Sequence, residues 1–111
     1  MLKVGQEVLC RVEGISLTRG AEVIVPESGT RGTIRLQDVG GDITDIRDAF
    51  LPGDLVRVLT LSVGDAKSCF FSTAPLNCGV VLAKAGDQWL QPVDQSHMQN
   101  SDTVYRRKVA H

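Results

Sequence analysis

Aromatic and histidine side chains are scarce in this sequence. Aromatic residues make up 5% of the 111 residues, and histidine occurs only twice, at His97 and at the last position. A nucleophilic serine or cysteine needs a neighbouring base, so a catalytic triad is not expected. The pair Gly40-Gly41 lacks the Lys-Ser/Thr that follows the glycines in a phosphate-binding loop. The sequence therefore predicts that the protein is not an enzyme.

The sequence also has few cysteines and no close pair of them. Cys10, Cys69 and Cys78 form an odd, widely spaced set, whereas a secreted disulfide scaffold usually has more cysteines, in even number. We therefore expect a reducing compartment and buried thiols. A structural zinc ion needs four ligands, usually in close pairs, and no Cys-x-x-Cys pair occurs. Neither a metal nor another cofactor is expected.

Neither sign of charge is in large excess, and no apolar run is long. Twelve Lys and Arg stand against thirteen Asp and Glu, for a net charge of -1. The chain is thus not a broadly basic nucleic-acid binder. The longest apolar run is far below the ~20 residues that cross a bilayer, and the first residues contain no apolar signal segment. No membrane partner is expected, and contact with a polyanion would need a local patch.

Three acids, Asp42, Asp45 and Asp48, recur at every third position. They could hold a hard cation, but the acids at alternate positions and the central glycine of an EF-hand are absent. The interpretation that we favour is structural. Asp42 caps a short helix, Asp45 complements the helix dipole and Asp48 is solvated.

What is abundant is alternation of apolar and polar residues, which predicts strands. Three strands joined by short turns are followed by a short helix that ends at Pro52-Gly53, and then by two more strands. This order is typical of the OB fold, a five-stranded barrel of the all-β class. The predicted strands cover residues 7–13, 21–25, 30–36, 55–63 and 68–73, and the predicted helix covers 42–50.

The composition changes after residue 74, so we predict two parts, a barrel over 1–74 and a β-rich tail over 75–111. The tail is predicted to contain strands at 79–83 and 89–93 and a polar loop at 95–103.

The predicted face of strands two and three is the candidate binding surface, because OB barrels commonly bind single-stranded nucleic acids there. We expect four cations on or beside this face and no aromatic residue. The alternative, solvated arginines on an ordinary face, stays open with equal weight. Segment 38–54, with five acids and one arginine, is expected to repel RNA. The four cations are Arg19, Arg31, Arg35 and Lys67.

Several blocks resemble the Csl-type cap subunit of the RNA exosome, the cap protein with a single S1 RNA-binding domain and no KH domain. They occur in family order, and a closing block at 105–110 is also similar. The blocks are RGTIR at 31–35, DV at 38–39, FLPGDLV at 50–56, LSVGDA at 61–66, STA at 72–74 and GVV at 79–81.

The resemblance implies an S1-type OB barrel followed by a tail descended from a zinc ribbon. It implies a non-catalytic subunit that sits on RNase PH-like ring proteins beside other cap proteins, helps to hold the ring together and lines the RNA entrance for 3′-to-5′ processing and degradation. It also implies a nuclear, nucleolar and cytoplasmic location. The alternative is a stand-alone S1-type module that binds single-stranded RNA.

Three features depart from the family pattern. The chain begins at the first barrel strand, without the small preceding domain, so we expect a fragment or a reduced form. Ribbon cysteines are absent, since only Cys78 lies in the tail. Where S1 domains place aromatic residues and a histidine, this chain has Arg19, Glu22 and Arg35. RNA contact is therefore expected to be weak, charge-based and without strong sequence preference.

Overall fold

The computed structural model describes residues 2–64 and 69–111, and these are almost entirely β-strand, turn and loop. Two single 3₁₀ turns, Leu36–Asp38 and Ile46–Asp48, lie between the third and fourth strands. The strands are β1 Glu7–Ser16, β2 Gly20–Val25, β3 Thr30–Ile34, β4 Leu55–Ser62, β5 Cys69–Ser72, β6 Gly79–Leu82, β7 Lys84–Ala85, β8 Gln88–Trp89, β9 Gln91–Pro92, β10 His97–Gln99 and β11 Val104–Arg106.

The first five strands close into a barrel. Their order is β1-β2-β3-β5-β4, and β4 returns to pair with β1, so each barrel strand has two neighbours within the barrel. Neighbouring strands are antiparallel except β3 and β5, which run parallel, with Thr33 opposite Phe70. This closure and strand order confirm the predicted OB fold.

The core lies inside the barrel and is built by the predicted alternation. Phe71 points inward from β5 and is fully buried, and Gly32 of β3 lies against its ring. A Cβ at Gly32 would overlap that ring, so only glycine lets β3 pass so close. The other inward residues of the barrel strands include Cys10, Val12, Val23, Ile34, Val56 and Val58.

The predicted helix over 42–50 is shortened to the single 3₁₀ turn Ile46–Asp48. Asp45, not Asp42, caps this turn, by accepting a hydrogen bond from the backbone N–H of Arg47 at 2.9 Å. The β-branched residues Ile43 and Thr44 favour extended backbone just before it. Ile46 is still buried, so the apolar pattern is satisfied by one turn.

The C-terminal segment continues the barrel sheet. Strand β6 pairs with β4 along the same edge of β4 as β5 does. Its range, Gly79–Leu82, agrees with the strand predicted at 79–83. The predicted strand at 89–93 is divided into β8 and β9 around the buried Leu90. The predicted loop at 95–103 was wrong in part, because it contains β10, the centre of a three-stranded sheet with β9 and β11. Only Met98 of β10 is buried, too little to signal a strand in the sequence.

Buried polar contacts also join this segment to the barrel. Arg107 Nε donates to Asp54 Oδ2 at 2.8 Å. The backbone N–H of Lys108 donates to the carbonyl of Ala49 at 2.9 Å. Within the segment itself, Lys108 Nζ donates to the carbonyl of Cys78 at 2.9 Å, and burial lowers the pKa of Lys108. Apolar residues after position 75, such as Val80 and Val109, belong to the same buried cluster as the barrel residues. The domain boundary after residue 74 stays a prediction.

Across residues 2–64 and 69–111, no helix has the length and apolar character needed to traverse a lipid bilayer.

Candidate nucleic-acid interface

The outer face of β2, β3 and β5 carries the residues that the sequence singled out. On this face Glu22 lies opposite Thr33, and Thr33 lies opposite Phe70. Arg31 lies two residues before Thr33 and is exposed. Because side chains of one strand face alternate sides, Arg31, Thr33 and Arg35 point the same way.

A groove of about 570 Å³ lies at one end of this face. Its walls are the turn at residues 16–20, the end of β3 and the segment 44–47. Gly20 brings two of these walls together, with a φ of 111°. A Cβ on Gly20 would overlap the carbonyl oxygen of Ile34 and lie 3.0 Å from the Cα of Arg35. The close approach of this glycine places Arg19 and Arg35 in one groove.

Arg19 lies on the outer rim of the groove. Its guanidinium is 2.9 Å from the carboxylate of Glu22, and its side chain is 72% exposed. An exposed ion pair of this kind contributes only about 0–1 kcal/mol. Arg19 can therefore exchange Glu22 for a phosphate at little cost.

Arg35 lies inside the groove and contacts two fixed groups. Its Nε donates to Asp38 Oδ2 at 2.7 Å, and its guanidinium carbon lies 4.4 Å from the centre of the Phe70 ring. The expectation that the binding surface has no aromatic residue was therefore wrong. In an OB barrel β3 pairs with β5, so the outward-facing residue of β5 lies beside β3. This pairing could have been used to predict that Phe70 lies on the binding surface.

Arg31 does not line the groove, and Lys67 cannot be placed relative to it. Arg31 lies farther along β3, where its Cα pairs with that of Ile24, and the groove lining does not include it. Lys67 lies outside the described residues. The structure thus brings two of the four predicted cations, Arg19 and Arg35, to one groove.

Arg47 is a groove residue that the sequence assigned to the repelling acidic side. It lines the same groove as Arg19 and Arg35, and its guanidinium binds the carboxylate of Asp45 at 2.7 Å. Hydrogen bonds from the Arg47 side chain and backbone lower the pKa of Asp45 to about 2. No sequence spacing indicated this placement, because it depends on how the segment 44–47 folds back toward β3.

Two of the three recurring acids, Asp45 and Asp48, form ion pairs with arginines. Asp45 pairs with Arg47, as above, and Asp48 lies 3.4 Å from the guanidinium of Arg106. In the part of the chain that the structure describes, no three His, Cys, Asp or Glu side chains are arranged to hold a metal ion.

Comparisons with known proteins agree on one relationship, although no family model matches the chain. The exosome complex component csl4 of Schizosaccharomyces pombe is 33% identical over 119 residues. The Csl4 exosome components of Mus musculus and Homo sapiens are 36% and 37% identical over 122 residues. Each alignment covers 96% of this chain. The chain is a homologue of the Csl4 exosome components. The resemblance seen in the sequence is thereby confirmed.

The chain covers only part of these relatives. It spans 66% of the length of the yeast protein and 62% of the mouse and human proteins. A crystal structure described provisionally as an exosome complex RNA-binding protein matches 77% of this chain and 50% of its own, with a TM-score of 0.59 and 12% identity. At that identity the match concerns the fold alone, and it agrees with the OB barrel.

Proposed function

We propose that this chain is a non-catalytic cap subunit of an RNA exosome. The observation that carries the proposal is 33–37% identity to Csl4 exosome components over 96% of the chain. In this role it helps to hold the core ring together and contributes to the path by which RNA enters for 3′-to-5′ processing and degradation. Its partners are RNase PH-like ring proteins and neighbouring cap proteins, and it works in the nucleus, the nucleolus and the cytoplasm.

The arginine-bearing face supports the RNA part of the proposal. Arg19 and Arg35 line one groove, and Arg31 extends the positive surface along β3. Lys67 completes the predicted set. Contacts of this kind follow the phosphate backbone, so they are sequence-tolerant and weaken as salt rises. Such weak contact suits a subunit that guides RNA through a passage without retaining it.

A second surface supports the protein-contact part. Pro52, Leu55, Leu82 and Trp89 line an open cleft of about 450 Å³, and the side chain of Trp89 is 53% exposed beneath the ammonium of Lys84. Exposed tryptophan among apolar residues is characteristic of interface centres. We assign this cleft to a subunit of the exosome core.

The alternative of a stand-alone RNA-binding module is not favoured, because the relatives are named as components of a complex. Affinity purification of the tagged chain from its own cells separates the two. A cap subunit brings down RNase PH-like proteins in stoichiometric amount at physiological salt. A chain that purifies alone, or only with RNA, is not a cap subunit.

The cleft is tested in the same purification. Changing Leu82 and Trp89 together to serine should reduce the recovery of ring proteins several-fold. The matched control is Val104→Ser, since Val104 is as exposed as Trp89 but lies on β11. Equal recovery with all variants would contradict the assignment of the cleft.

A further inference from the structure

The groove contains a cation stacked on an aromatic ring, an arrangement that charge-based RNA contact does not require. We propose that Arg35 and Phe70 form a two-layer stacking platform for one unpaired RNA base, with the Arg35 guanidinium as the outer layer. This proposal rests on the RNA contact proposed above. It adds a base-binding position to the phosphate contacts of the groove.

The order of the layers follows from their positions. Phe70 is the outward residue of β5 and is half-buried, whereas the Arg35 side chain is 40% exposed. The guanidinium lies over the ring at 4.4 Å, so a base reaches the guanidinium before it reaches the ring. Bases stack on arginine planes as well as on aromatic rings. Phe70 therefore supports the plane on which the base lies.

Asp38 holds the guanidinium in place. The Nε of Arg35 is bound at 2.7 Å, and the main chain of Asp38 is itself anchored to the end of β5. Its carbonyl accepts hydrogen bonds from Ser72 Oγ at 2.9 Å and from the Thr73 backbone N–H at 3.0 Å. A side chain that is ordered before binding loses less entropy when the base arrives. Asp38 is thus a positioning residue for the platform.

The groove around the platform has the size and chemistry of a nucleotide site. Its volume of about 570 Å³ falls in the range of about 300–1,000 Å³ that is usual for small-ligand sites. Within the described residues Arg35 donates only through Nε, so its two terminal amino groups retain four N–H donors for a phosphate. Arg19 lies in the turn at 16–20 and Arg47 in the segment 44–47, and both line the groove, so each can contact a phosphate beside the stacked base.

The test uses the 111-residue chain and a short single-stranded oligouridylate that contains one 2-aminopurine, whose fluorescence is quenched on stacking. Binding to the unmodified chain should quench the probe. Arg35→Lys keeps the charge but removes the plane, so it should weaken binding about three- to tenfold and abolish the quench. A plot of log K against log salt concentration should have the same slope for Arg35→Lys as for the unmodified chain, because the number of phosphate contacts is the same.

The matched control is Arg31, which lies on the same face of β3 but outside the groove. Arg31→Lys should leave the quench unchanged, and Arg31→Ala should weaken binding and reduce the salt slope by about 0.7 without affecting the quench. Phe70→Leu and Asp38→Asn should each reduce the quench, because one removes the supporting layer and the other releases the guanidinium. Arg35→Lys alone decides the matter if either of these variants fails to fold.

Two results would overturn the platform. One is binding of the unmodified chain without quench, and the other is an Arg35→Lys variant that matches the unmodified chain in both affinity and quench. Neither result contradicts the cap-subunit proposal, because that proposal is tested separately by co-purification with ring proteins. Conversely, a chain that quenches the probe but does not co-purify with ring proteins supports the platform and overturns the cap-subunit proposal.

Discussion

Asp54 and Arg107 form a buried ion pair that joins the barrel to the C-terminal segment. Nε and Oδ2 are 2.8 Å apart, and the side chains are only 3% and 4% exposed. The backbone N–H of Leu51 donates to the same carboxylate oxygen at 3.0 Å. Burial is the largest influence on Asp54 and raises its pKa, against the hydrogen bonds, which lower it. The pair is thus a buried contact between the barrel and the C-terminal segment.

Removing one partner of this pair should be strongly destabilising. Arg107→Ala leaves the Asp54 carboxylate buried without its counter-charge, so the free energy of unfolding should fall by about 3–5 kcal/mol. Urea denaturation measures this change. The control is Arg106→Ala, because Arg106 is half-exposed and its pair with Asp48 spans 3.4 Å. That change should cost about 1 kcal/mol or less, and equal costs for the two variants would contradict the central role of the buried pair.

The barrel could be predicted from the sequence because its signal is local. Alternation along 21–25 and 55–63 placed β2 and β4 to within one residue at each end. Period-two alternation is the direct consequence of a strand with one buried face. The short strands β7 to β11 have two or three residues each, and such lengths carry no measurable period.

The groove could be predicted only in part, because its contacts are non-local. Arg19 and Arg35 could be found from their place on the turn and strand of an OB barrel. Phe70 reaches Arg35 through the pairing of β3 with β5, and Arg107 reaches Asp54 across 53 residues of chain. The contact of Phe70 with Arg35 can be inferred only after the strand pairing of an OB barrel is assumed, and the contact of Arg107 with Asp54 has no signature in the sequence.

The thiol of Cys10 should be chemically inert in the folded protein. Burial inside the barrel, together with the nearby Cys69, raises the pKa of Cys10 to about 12. Cys69 and Cys78 are also buried. Since the thiolate is the reactive form, a disulfide reagent at pH 8 should label none of the three thiols quickly until denaturant is added. Rapid labelling of one thiol before unfolding would contradict the buried position.

The Asp45 carboxyl should titrate at about pH 2, where its hydrogen bonds with Arg47 place its pKa. An acid whose pKa is lowered in the folded state stabilises that state above its ordinary pKa, about 3.9. The contribution is lost as the pH falls from about 4 toward about 2. Carbon-detected NMR of the carboxyl group measures the midpoint. Arg47→Ala should return it to about 3.9, whereas Arg31→Ala should leave it at about 2.

The close approach of Gly20 to β3 should make this glycine irreplaceable. In Gly20→Ala, an alanine must adopt a φ of 111°, and its Cβ overlaps the carbonyl oxygen of Ile34. The backbone conformation should lower the free energy of unfolding by about 1–2 kcal/mol, and the overlap should lower it by about 1–3 kcal/mol more. Gly29 is the matched control, because its φ is 75° but no atom lies within 4 Å of the added Cβ. Gly29→Ala should therefore show the backbone cost alone. Thermal unfolding gives both values, and a Gly20→Ala variant no less stable than Gly29→Ala would mean that the turn at 16–20 does not close the groove against Arg35.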